Sequence, residues 1–199
     1  EDATLNKIRF GINWISNIVK VQEKQPNVIF YYSGHGVPDE TSRNAYLLPS
    51  DGLANDCQSG YSLDLLYKQL GELHTNKTIV LLDACFSGTT RDGKMMTTDS
   101  KGVAIKSKPV QPKGNMVVLS ASQGDETAYP YKKKKHGMFT YFLLKKLQET
   151  KGNVSLGDLE AYINKKVSQQ SIIENGKKQT PSINISNSLN TDWKTFKIY

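Results

Sequence analysis

Two apolar runs that end alike dominate the pattern of this chain. Val28-Ile-Phe-Tyr-Tyr32 leads into Ser33-Gly34-His35-Gly36, and Thr78-Ile-Val-Leu-Leu82 leads into Asp83-Ala84-Cys85-Phe86-Ser87-Gly88. Short continuous apolar runs closed by glycine read as buried strands of a sheet covered on both faces. Met116-Val-Val-Leu-Ser120 is a third such run, and Thr180 to Ile185 predicts a late strand with Pro181 near its start. Elsewhere the apolar period is helical. Leu5, Ile8, Phe10, Ile12, Ile15 and Val19 predict a helix face, with Asp2 or Thr4 as cap and Gln25-Pro26-Asn27 beyond its end. Leu63, Leu66, Tyr67, Leu70 and Leu73 predict a second helix behind Ser62, and Phe139, Phe142, Leu143 and Leu147 a third over 138–147. Ser155 caps a fourth, running to about residue 167. Residues 38–59 are polar and turn-rich apart from Ala45-Tyr-Leu-Leu48, and residues 87–114 have no period at all. An order of α-β-α-β-β-α-α-β with covered strands predicts an α/β layered domain.

A length of 199 residues suits one domain with a full core. No apolar stretch approaches the ~18–20 residues needed to span a bilayer, so no membrane partner is expected. The net charge of +7 is concentrated in Arg91 to Lys113 and in Lys132-Lys133-Lys134-Lys135. Neither stretch interleaves aromatic residues as a base-stacking surface does, so solvated basic loops are expected and nucleic acid is not. With two cysteines, no disulfide framework is implied, and pairing Cys57 with Cys85 would consume a thiol at a strand end. Both are expected reduced.

If the first two strands are parallel neighbours, His35 and Cys85 meet at their carboxyl ends, where open α/β sheets build sites. Their separation of fifty positions leaves room for a crossover connection. An imidazole beside a thiol can hold the thiolate and later protonate a leaving amine. Gly36, lacking a Cβ, would let a substrate carbonyl approach the backbone, and the N–H groups of Gly36 and Cys85 are candidate oxyanion-hole donors.

Tyr32-Ser33-Gly34-His35-Gly36 and Asp83-Ala84-Cys85-Phe86-Ser87-Gly88 closely resemble the two catalytic motifs of the caspase-like cysteine peptidases (family C14 of clan CD), in particular the metacaspases, paracaspases and bacterial caspase-like domains. The fifty-residue separation belongs to that resemblance and is not independent of it. Ala3-Thr4-Leu5-Asn6-Lys7-Ile8, Ser120-Ala121-Ser122-Gln123 and His136-Gly137-Met138-Phe139-Thr140-Tyr141 also resemble family segments, so the likeness spans nearly the whole chain. It implies the caspase-hemoglobinase fold, a mostly parallel sheet with helices on both faces. It implies His35 as general base and acid, Cys85 as the nucleophile that forms a thioester, and Gly36 with Cys85 as the oxyanion hole. Residues 1–199 then form one peptidase domain, with a large-subunit-like part over 1–89, a basic linker and candidate processing region over 90–114, and a small-subunit-like part over 115–199.

True caspases carry glutamine two residues before the cysteine and cut after aspartate. Asp83 stands there in this chain, as in the branch whose S1 pockets accept arginine or lysine at P1, the residue before the cut. A carboxylate at a pocket floor selects a cation and repels an acid. The expected partner is therefore a protein or peptide substrate with a basic P1. Ser33 matches a second pocket-lining position, and Asp125 and Glu126 lie where family members place substrate-binding loop residues. Arg91, Lys94, Lys101, Lys106, Lys108 and Lys113 fall where relatives are cut between subunits, which raises self-cleavage. The competing reading is a catalytically silent scaffold of the same fold. No cofactor is required on this reading. Calcium is the alternative, because Asp92 and Asp51 match aspartates of calcium-dependent metacaspases, yet the paired aspartates of that site survive only as Leu63-Asp64. The family's first two strands normally precede the segment that opens this chain; without them the sheet has an exposed edge and an incomplete S1 pocket, and a companion fragment is one source that could supply them. The cytoplasm is favoured over secretion as a location.

Overall fold

The computed structural model describes residues 2–88, 106–124 and 126–198. Helix α1 (Leu5–Lys20) starts at Thr4, whose hydroxyl accepts the Lys7 N–H. Asp51, from a distant loop, accepts the Leu5 N–H at 2.8 Å, so two of the first turn's exposed donors are satisfied. Ile8, Ile12 and Val19 form the buried stripe of α1. Phe10 falls off that stripe and is 70% exposed, contrary to expectation.

The chain then runs through β1 (Asn27–Ser33), β2 (His35–Pro38), β3 (Ala45–Leu48), β4 (Tyr61–Ser62), α2 (Leu63–Gly71) and β5 (Lys77–Asp83). It continues through β6 (Met116–Ser120), β7 (Pro130–Tyr131), β8 (His136–Gly137), α3 (Met138–Thr150), α4 (Leu156–Asn175) and β9 (Ser182–Ile185). The main sheet has the order β1-β5-β6-β9, parallel from β1 to β6 with β9 antiparallel at one edge. Side chains alternate across it. Val80, Leu82, Met116 and Val118 pack with Ile8 and Ile12 of α1 and Leu66 and Leu70 of α2. Ile79, Leu81, Val117 and Leu119 pack with Phe139 and Leu143 of α3 and Leu159 and Ile163 of α4 on the opposite face. Every residue of β5 is buried, as its unbroken apolar run predicts.

β1 is different. Its run looks like that of β5, but it lies at the edge of the described sheet and its exposure alternates, leaving Ile29 and Tyr31 roughly half exposed. The expectation of a strand covered on both faces is corrected there. Two small antiparallel sheets, β2-β3-β4 and β7-β8, were not expected. The apolar interruption Ala45–Leu48 is the middle strand of the first, too short for a period to show. Helix α4 runs on beyond Val167 to Asn175, and Gly176, in the left-handed conformation, closes it.

Candidate active site

The parallel register from Asn27↔Lys77 to Ser33↔Asp83 sets the site. Gly34 N–H donates to the Asp83 carbonyl at 3.1 Å just past the last pair. His35 and Cys85 therefore leave adjacent strands at the same level, each two residues beyond the Ser33↔Asp83 pair. The Tyr32 hydroxyl holds the turn into β2, its one proton shared between the carbonyls of His35 at 2.9 Å and Leu48 at 2.7 Å. His35 is half-buried and Cys85 is 1% exposed.

Gly36 has no room for a side chain. A Cβ there would lie 2.6 Å from the Cys85 carbonyl oxygen and 2.4 Å from the Phe86 ring. The expectation that its missing Cβ opens the backbone to substrate is corrected. That space belongs to the cysteine loop, which packs directly on the histidine strand.

Both cysteines are free thiols. Burial, and then the charges of Asp39, Asp56 and Glu40, push the Cys57 thiol up, so Cys57 is a poor source of thiolate at neutral pH.

Asp83 is fully buried, and its Oδ2 accepts the Thr140 N–H at 3.1 Å and the Thr140 hydroxyl. Helix α3 starts behind Gly137, which has no side chain to cap it. Asp83 supplies that cap from the end of β5, a favourable place for a carboxylate because the helix amino end carries positive potential. Gly137 is required for this approach, since a Cβ on it would sit 2.0 Å from Oδ2. Thr140 also lies 2.8 Å, hydroxyl to hydroxyl, from Tyr31. The sequence reading passed over Thr140 and Tyr31; a glycine where a helix cap is due was the available signal.

A cavity of about 320 Å³ opens beside these groups, lined by Tyr31, Ser33, Gly137 and Thr140 and by the exposed Lys132, Lys135 and His136. Of the other expected pocket residues, Asp125 lies outside the described residues. Glu126 accepts the Thr180 N–H and its hydroxyl, the latter at 2.9 Å, and is not among the lining residues of this cavity. Asp51 commits an oxygen to the start of α1, and Asp92 lies outside the described residues. Among the described residues no three His, Cys, Asp or Glu side chains converge. Among them, too, no helix is long and apolar enough to cross a membrane.

The caspase-domain model of the C14 peptidases matches residues 1–191. The chain belongs to that family. A structural-genomics protein from Geobacter sulfurreducens superposes with a TM-score of 0.66 at 18% identity, over 98% of this chain and 77% of its own. Caspase-1 from Spodoptera frugiperda gives 0.59 at 14% identity, over 91% and 70%. At such identities the likeness concerns the fold, which is caspase-like. No curated protein matches the chain.

Proposed function

We propose that the chain is a cysteine endopeptidase that cuts after Arg or Lys. The observation that carries the reading is the shared level at which His35 and Cys85 leave two parallel strands. In the proposed cycle His35 takes the Sγ proton, and the Cys85 thiolate adds to the scissile carbonyl. The N–H groups of Gly36 and Cys85 receive the oxyanion. His35 then protonates the leaving amine and a thioester remains. Water, deprotonated by His35, adds to the thioester carbonyl, and the expelled thiolate recovers its proton. Ser33 is proposed to line the pocket for P1, with the negative charge of Asp83 behind that wall favouring a cation. The deep burial of Cys85 favours the competing reading, a domain of the same fold without turnover.

A fluorogenic tetrapeptide panel on the intact chain, with and without calcium, tests this. Arg or Lys at P1 should exceed Asp by about 100-fold or more in kcat/KM. A preference for Asp, or no turnover of any peptide in either condition, would remove the reading.

Self-cleavage in the basic linker is proposed too, and the described part of that linker narrows where. Lys108 precedes Pro109, a residue whose ring fixes the backbone and removes the N–H, and Lys108 N–H is bound to the Arg43 carbonyl at 2.8 Å. Lys113 is packed against Gly71, where a Cβ would meet the Lys113 carbonyl oxygen at 2.8 Å. Mass spectrometry of the incubated chain should find fragments ending at Arg91, Lys94, Lys101 or Lys106. A dominant fragment ending at Lys108 or Lys113 would contradict this assignment.

A further inference from the structure

The cavity beside Ser33 does not expose the charge that would attract a cation. Asp83 is fully buried, whereas Tyr31, Ser33 and Thr140 give the cavity a lining of hydroxyls. Their hydrogen bonds have a direction. Thr140 has one hydroxyl proton, and it goes to Asp83 Oδ2. In its 2.8 Å contact with Tyr31, the Thr140 oxygen is therefore the acceptor and the phenol the donor. Once its proton points inward, the Tyr31 oxygen has only lone pairs left to offer the cavity it lines. Two hydroxyls thus carry the polarity of a buried carboxylate outward as a row of acceptors.

We propose that this relay recognises the cationic end of P1. Tyr31 touches the guanidinium or ammonium, Thr140 is a positioning residue acting through Tyr31, and Asp83 sets the direction of the chain from behind. The proposal rests on the peptidase reading and deepens it by naming Tyr31, which no motif marks, as the contact. The physical ground is that charge-assisted hydrogen bonds are about twice as strong as neutral ones, so an acceptor-only contact at Tyr31 separates a cation from its neutral isostere. Lys132 and Lys135 line the same cavity and oppose cation entry. Selectivity must then come from contact with the hydroxyls, not from long-range attraction.

The test compares n-butylguanidinium with n-butylurea, ligands of one shape that differ in charge, by NMR titration of the full chain. Alongside it, peptides with Arg or citrulline at P1 are compared by kcat/KM. The unaltered chain should prefer the cation about 10-fold or more in both assays. Tyr31→Phe should remove most of that preference, with the peptide loss in KM and not in kcat. Thr140→Val should do the same, and Thr140→Ser, which keeps the hydroxyl, should restore it. Should Thr140→Val fail to fold because Asp83 loses a hydroxyl partner in its cap of α3, Tyr31→Phe carries the test, since Tyr31 is 46% exposed. An unchanged cation preference in Tyr31→Phe overturns the relay, as does a chain that binds both ligands equally. Selective binding of butylguanidinium, lost in Tyr31→Phe, with no peptide turnover supports the relay and overturns the peptidase reading alone.

Discussion

Cys85→Ala is expected to lower peptide turnover by at least about 10⁴-fold while the chain stays folded. The substitution deletes one sulfur from an apolar cluster that also holds Ala121, Ala128 and Met138, so its structural cost is modest. The chemical cost is total, because no other described cysteine can replace it. Cys57 has its thiol pushed up by burial and by three acidic neighbours, and it bonds to the Pro38 carbonyl at 3.7 Å, in a different setting. His35→Ala should cost a similar factor, and the double variant no more than either alone, since groups that act as a unit fail as a unit. Additive losses would show that the two side chains act separately. Retention of turnover in Cys85→Ala would refute the dyad. Circular dichroism and melting temperature of both variants separate lost chemistry from lost fold.

The parts of this arrangement that could be read along the chain are those encoded within a few residues. The wholly apolar β5, the serine and threonine caps of α1, α2 and α4, and the glycines after each central strand all announce themselves locally. The parallel pairing of β1 with β5 was the condition on which His35 and Cys85 would meet, and the register satisfies it. What stayed hidden depends on partners distant in sequence. Asp83 and Thr140 are 57 residues apart, and Tyr31 and Thr140 are 109 apart, so no local window joins them. An aspartate in a catalytic motif reads as a pocket floor, yet here its first task is to cap a helix whose own cap is a glycine. The two faces of β1 also escaped prediction, because Val-Ile-Phe-Tyr-Tyr has no polar residue to mark the side away from the core. Asp51 is a further long-range partner no local window shows, since it accepts the Leu5 N–H at the start of α1 from 46 residues away.

Gly36→Ala is expected to reduce kcat by about 100-fold with little change in KM, and to destabilise the chain by about 1–3 kcal/mol. Backbone conformation is not the reason. Gly36 lies inside β2 without a positive φ, so alanine suits its dihedrals. The obstacle is the 2.4 Å and 2.6 Å approaches to the Phe86 ring and the Cys85 carbonyl. These neighbours differ in what they can do. The ring ends a side chain that can turn aside or be shortened, whereas the carbonyl is the backbone of the nucleophile and moves only if Cys85 moves with it. A second substitution separates them. Adding Phe86→Ala to Gly36→Ala should recover part of the lost stability, because the ring contact is gone, but none of kcat, because the carbonyl contact remains. If the double variant regains both, the effect of Gly36 runs through the ring and not through the cysteine backbone. If Gly36→Ala alone keeps full kcat, the close packing of the cysteine loop on the histidine strand is not what aligns the pair.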